Sequence, residues 1–243
     1  MESKILTLKD ILAKGDTTPP DEWQIRAILS EECLSYVVWN TRTKEGLVID
    51  PKLEDWNSYI KVIAEQPGIR WLAVVDTHTH ADHISVAAKL AAHLHSPLLM
   101  HELSPSRRVD LRVSRTTKIQ AQAAPIQLVA TPGHTPDSMS VIWGPYLFGG
   151  DTILFGDTGR DDLPGGDPTA HYDSVQELKR HASAEMIFLP GHDHKGGRAS
   201  TWKTQLQVNS SLTQGREDFI REAAAFDGAS PQLLKKALAE NFK

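Results

Sequence analysis

Apolar and polar residues alternate in short runs along the first part of the chain. Trp23, Ile25 and Ala27 are interleaved with Gln24 and Arg26, Leu34 to Trp39 is rich in β-branched and aromatic residues, and Leu47 to Ile49 follows the turn Lys44-Glu45-Gly46. Period-two patterning bounded by turn residues predicts three antiparallel strands here. Asp50-Pro51 ends the third, after which Trp56, Tyr59, Ile60 and Ile63 recur at helical spacing up to Pro67-Gly68. The pattern then predicts strands over 70–76, 97–100, 125–130, 138–143, 146–148 and 186–189, with helices over 84–94 and from Asp167-Pro168 to about His181. Ahead of these, Ile5, Leu8, Ile11 and Leu12 have helical spacing and stop before Gly15. Residues 1–22 therefore read as an N-terminal helix or arm, and 23–243 as a single domain. Apolar positions from Leu206 to Leu238 predict C-terminal helices that cover a sheet face, the last of them started by Ser230-Pro231.

Composition narrows the function classes. At 243 residues and 40% hydrophobic, one layered domain is the simplest reading. A net charge of -5 leaves no basic footprint for nucleic acid and no polybasic membrane patch, so a small-molecule substrate is expected. The single cysteine, Cys33, excludes an intramolecular disulfide and a cysteine-based zinc cage. Any metal is then expected on nitrogen and oxygen ligands. Neither a signal-peptide core nor an apolar run of 18 residues occurs, which reads as a cytoplasmic protein.

The chemistry gathers where the predicted strands end. Thr77-His78-Thr79-His80-Ala81-Asp82-His83 puts three imidazoles and a carboxylate directly behind an apolar strand. Those donors suit zinc and non-haem iron, and a loop at a strand end can aim several at one point. A His-rich loop can also be merely solvated, but further candidates follow other strands. His134 sits in Pro132-Gly133-His134-Thr135-Pro136, and Asp151 follows Gly149-Gly150, where its alternative role is a helix cap. The last strand ends in Gly191-His192-Asp193-His194, and the sequence does not choose between its two histidines. His93 and His95 read as surface or packing residues, and His171 and His181 as solvated. Arg107, Arg108, Arg112 and Arg115 read as a solvated charged loop rather than an anion site. In the glycine-dense loop over 156–167, Arg160 beside Asp161 suggests an ion pair, with substrate contact as the sharper reading.

Taken in order, His-x-His-x-Asp-His, the Gly-His turn, the Asp after paired glycines and the late Gly-His resemble the metallo-β-lactamase superfamily, from about residue 23 to 213. The resemblance implies an α/β fold, an αββα sandwich of two mainly antiparallel sheets flanked by helices. It implies one metal pocket of His78, His80 and His134, a second of Asp82, His83 and His192, and Asp151 shared between them. Gly159-Arg160-Asp161-Asp162, with Gly166-Asp167, looks most like the persulfide dioxygenase and glyoxalase II branch, and the short stretch after His192 looks more like the dioxygenases. That branch implies one Fe(II) on His78, His134 and Asp151, with a small thiol-derived substrate near Arg160. The alternative is a dinuclear zinc hydrolase of thioesters, lactones or related acyl substrates, with Asp82 as the catalytic residue that orients hydroxide. Relatives of this kind also imply a homodimer, although no apolar stripe marks an interface. Thr158, Leu163 and Asp137 depart from the branch pattern, and all three are expected on the substrate side.

Overall fold

The structure is a computed structural model that describes residues 3–194, 196–226 and 233–243. Lys4–Thr7 form strand β1, and only Leu8–Ile11 are helical (α1), so the expected leading helix is largely replaced by strand. The reason is tertiary: Lys4–Thr7 find the open edge of β2 (Trp23–Ser30) and pair with it antiparallel, which outweighs a weak helical spacing.

β2, β3 (Cys33–Asn40) and β4 (Glu45–Ile49) form the expected antiparallel meander. Glu31 and Lys44 take left-handed backbone (φ 57° and 59°) in its two turns. Helix α2 (Trp56–Ala64) then carries the chain back, so β5 (Arg70–Val75) joins β4 in parallel. Helix α3 (Ala87–Leu94) does the same for β6 (Leu98–His101), and β7 (Leu111–Val113) closes the sheet in the order β1 to β7. This sheet is therefore evenly mixed rather than mainly antiparallel, because crossovers through α2, α3 and the loop at 102–110 return β5, β6 and β7 in parallel.

The second sheet has the order β13-β12-β11-β10-β9-β8. Its strands are β8 (Thr117–Ile119), β9 (Ile126–Ala130), β10 (Met139–Trp143), β11 (Tyr146–Gly150), β12 (Ile187–Pro190) and β13 (Ser200–Thr201). Helix α4 (Pro168–His181) connects β11 to the parallel β12. After β13 come α5 (Trp202–Val208), α6 (Arg216–Ala224) and α7 (Leu234–Asn241); the expected start at Ser230-Pro231 lies outside the described residues.

Strand alternation builds the layers. Ile25, Tyr36, Val38, Leu47, Ile49 and Val75 point between the sheets and meet Leu128, Val141, Phe148 and Leu189 there. Their neighbours Val37, Val48 and Val74 point the other way, under α2 and α3. Val129, Leu147 and Phe188 pack outward under α4, α5 and α6. With both faces covered, the central strands read as continuous apolar runs. The result is an αββα sandwich, and among the described residues no helix is long and apolar enough to cross a membrane.

Candidate metal centre

Three strands of the second sheet deliver donors at one edge. β9 and β11 both pair antiparallel with β10, and β12 pairs parallel with β11, so β9, β11 and β12 end on the same side. Asp151 follows β11 directly, and His192 and His134 lie in the turns just past β12 and β9. The loop after β5 reaches them from the first sheet, held by Met139 N–H donating to the Thr77 carbonyl at 2.8 Å.

His78, His134 and Asp151 come together, all buried, with their ligand atoms within 4.8 Å of one another. Asp151 Oδ2 lies 3.9 Å from His78 Nε2 and 3.7 Å from His134 Nε2, while its Oδ1 meets His192 Nδ1 at 2.8 Å. Asp82 Oδ2 in turn gathers His83 Nδ1 at 3.0 Å, His192 Nε2 at 3.2 Å and the Cys33 thiol at 3.2 Å. His80, expected with His78 and His134, stacks beside His78 at 4.2 Å between ring centroids. Its Nε2, however, faces Asp50 Oδ1 at 3.3 Å and Asp76 Oδ1 at 3.9 Å. Of the two late histidines, His192 joins the cluster, whereas His194 Nε2 turns to Asp157 Oδ2 at 3.3 Å.

The surroundings orient the rings. The Arg160 carbonyl can only accept, so His134 Nδ1–H donates to it at 2.7 Å and Nε2 keeps its lone pair toward Asp151. Thr77 Oγ1 gives its proton to Asp50 Oδ2 at 2.9 Å and thus accepts from His78 Nδ1–H at 3.0 Å, which frees His78 Nε2 in the same way. His78 Nε2, His83 Nε2 and His80 Nδ1 are buried with no hydrogen-bond partner among the described residues. Each such orphan costs roughly 1–3 kcal/mol, and a coordinated cation would offset that cost. The donor set therefore fits a metal ion.

The metallo-beta-lactamase superfamily profile matches residues 31–192. The chain belongs to that superfamily. As a metallo-beta-lactamase superfamily member with buried donor clusters, it is a metal-dependent enzyme of the oxidoreductase or hydrolase kind. It is similar to the human protein named persulfide dioxygenase ETHE1, mitochondrial, at 28% identity over 211 residues, covering 86% of this chain and 83% of the relative. Among solved structures it resembles ETHE1 from Myxococcus xanthus, with a TM-score of 0.82 and 27% identity over 90% of this chain and 97% of that one. A Bacillus subtilis protein named probable polyketide biosynthesis zinc-dependent hydrolase PksB is 25% identical over 192 residues, covering 76% of this chain and 84% of the relative.

Electrostatics in this superfamily member prepare the donors. Burial, reinforced by neighbouring His80, holds His78 well below the usual imidazole range, so the ring is neutral and its lone pair available. Burial opposes ionisation of Asp151, but the charge and hydrogen bond of His192, with His78 and His134, outweigh it and keep the carboxylate ionised. Burial likewise opposes a charge on His83, yet the Asp82 carboxylate raises it to about 10 in the metal-free protein. A proton must therefore leave His83 if a cation is to bind there.

Asp76 behaves in the opposite sense. Burial pushes its carboxyl up to about 6 from an ordinary 3.8, with His80 pulling down and Asp50 pushing up. The folded state thus holds this proton more tightly than the unfolded chain, and stability from that source is lost as pH rises from about 4 through 6. In chelator-treated protein, Asp76→Asn is expected to raise the unfolding free energy at pH 8 by ~1–3 kcal/mol relative to its effect at pH 4. Urea unfolding at the two pH values checks this; an equal effect at both removes the account.

A cavity of about 520 Å³ opens over the centre, a size suited to a small molecule. Asp82, His134, Asp151 and His192 form its base, and Thr158, Arg160, Leu163 and Phe226 line its walls. None of Arg107, Arg108, Arg112 or Arg115 lines it; Arg112 instead donates to the carbonyls of Glu102 and Ser104 and staples its own loop.

Several expectations are corrected here. Arg160 pairs with Asp162, at 2.6 and 2.7 Å, and stacks over Phe226; Asp161 turns inward instead. Asp137 is not on the substrate side but buried, accepting from Thr79 Oγ1 at 2.5 Å and Thr135 Oγ1 at 2.8 Å, and so joins two donor loops. His171 is fully buried rather than solvated. A thiol also stands among the nitrogen and oxygen donors: burial raises Cys33, but hydrogen bonds with His192 and His83 bring it below its ordinary value. Asn241 of α7 was not singled out at all, yet its Nδ2 donates to the carbonyls of His80 and His83 at 3.0 and 2.9 Å, and its Oδ1 accepts from Ser85 N–H at 2.9 Å.

Proposed function

We propose that the chain is a persulfide-dioxygenase-type enzyme that uses one Fe(II) on His78, His134 and Asp151 to oxidise the terminal sulfur of a small persulfide with O₂. The observation that carries this reading is the buried set of two histidines and one carboxylate, two of them at the base of a small-molecule cavity. Similarity over most of the chain to proteins named persulfide dioxygenase supports the choice of reaction. Fe(II) bound to such a trio supplies the open coordination positions that oxygenase chemistry needs.

The protein's own groups do the remaining work. Arg160 and Thr158 offer donors along the cavity wall to the polar part of the substrate, while Leu163 and Phe226 cover its carbon skeleton. His192, held between Asp151 and Asp82, keeps the Asp151 carboxylate from rotating away. Asp82, at the base of the cavity and hydrogen-bonded by the Cys33 thiol, provides a polar group that can hold a proton near the reacting sulfur. This reading carries a small-molecule substrate, no nucleic-acid partner, a reducing cytoplasmic setting suited to the single free thiol, and assembly as a homodimer.

A second reading, a dinuclear zinc hydrolase of thioesters or lactones, draws on the further donors around Asp82, which number more than a mononuclear site needs. Protein purified without oxygen or added metal separates the two. About one iron per chain with persulfide-dependent O₂ uptake is the expected result. About two zincs per chain, with thioester hydrolysis and no O₂ uptake, overturns it.

A further inference from the structure

His171 lies on the inner face of α4, one turn before Val175 and two before Leu178, and is fully buried. Both ring nitrogens are engaged: Nε2 with the Thr152 carbonyl at 2.6 Å, and Nδ1 with Asp161 Oδ1 at 2.5 Å. A carbonyl only accepts, so Nε2 carries a proton. The Nδ1 contact then shares one more proton between ring and carboxyl, as imidazolium with carboxylate or as imidazole with carboxylic acid. In either form no nitrogen is left to hold a cation, so the ring acts through its partners.

Those partners adjoin the metal trio. Thr152 directly follows Asp151, and Asp161 directly follows Arg160, whose carbonyl accepts from His134 Nδ1–H. Gly133, directly before His134, lies so close to α4 that a Cβ on it would stand 2.3 Å from His171 Cα and Cβ. The segments carrying Asp151 and the carbonyl that orients His134 therefore meet on the His171 ring, and the segment carrying His134 packs against the same residue's Cα and Cβ. We propose that His171 is a positioning residue of the metal centre, which fixes Asp151 and His134 relative to each other through Thr152 and Asp161. The inference rests on the assignment of His78, His134 and Asp151 as the metal-holding trio.

A histidine that only filled core volume would affect stability and leave metal binding alone. Co(II) titration separates the roles, because it gives both an affinity and a visible spectrum that reports ligand geometry. His171→Leu is expected to weaken Co(II) binding by about 10- to 100-fold and to shift the spectrum in protein that is still folded by circular dichroism. His171→Gln can keep the Thr152 contact and His171→Asn the Asp161 contact, so each is expected to recover part of the loss. Asp161→Asn, which keeps shape and removes the carboxylate, serves where His171→Leu does not fold, and it is expected to weaken binding in the same direction. Wild-type affinity and spectrum in folded His171→Leu, or in Asp161→Asn where the leucine variant does not fold, overturns the proposal while leaving the trio intact. A wild-type protein that binds no Co(II) overturns both.

Discussion

Asp151→Asn is expected to reduce turnover by about three orders of magnitude and to strip most of the metal from the purified protein. The substitution keeps the shape and one oxygen but removes the negative charge on which His78, His134 and His192 all bear. Without that charge the metal is no longer held, and ~4 kcal/mol of lost transition-state stabilisation corresponds to about a thousandfold in rate. The loss is compounded because His192, raised well above the usual imidazole range chiefly by Asp151 against the effect of burial, loses its main partner. Elemental analysis and steady-state turnover on the same preparation check this. His134→Ala should behave alike, and full activity in a metal-free variant of either kind would sink both the oxygenase and the hydrolase readings.

The second large effect comes from a residue that bears no ligand. Gly159→Ala would place a Cβ 1.9 Å from the Asp151 carbonyl oxygen and 3.2 Å from His134 Nδ1. Backbone cannot yield to that as a side-chain tip can, so the loop carrying Arg160 must move away from the centre. Overpacking of this kind costs roughly 1–3 kcal/mol or more. The shift also withdraws the Arg160 carbonyl from His134, and weakened outer contacts of this sort lower metal affinity by about 10- to 100-fold. Thermal unfolding with and without metal measures both parts. A Gly159→Ala protein with unchanged metal affinity would show that the loop is not a brace.

The candidate donors were legible in the sequence for a physical reason. Metal chemistry restricts residue type, and strand ends place such residues on rigid backbone, so His78, Asp82, His134 and Asp151 stand out as candidates by type and position together. What was not legible depends on pairing across long separations. Cys33 is 49 residues from Asp82, and Asp137 is 58 from Thr79, so neither contact leaves a local pattern. His171 did leave one: it shares the spacing of Val175 and Leu178 and so belongs to the buried face of its helix, which outranks the general tendency of histidine to be exposed. The leading segment failed differently. Its apolar spacing was real, but an unpaired strand edge offered β1 a ladder that the spacing of a short segment could not reveal.

The Asn241 clamp has a bearing on how the protein is made. The ligand loop at 77–83 leaves the ribosome early, yet the side chain that ties down the carbonyls of His80 and His83 follows 158 residues after His83. At about 5–20 residues per second, that separation amounts to roughly eight to thirty seconds of translation. During that interval the histidine loop is without its final fastening, and His134, Asp151 and His192 emerge one after another. The histidine loop thus reaches its braced geometry only once residue 241 has been made, so its backbone is held from a distance rather than by its own neighbours.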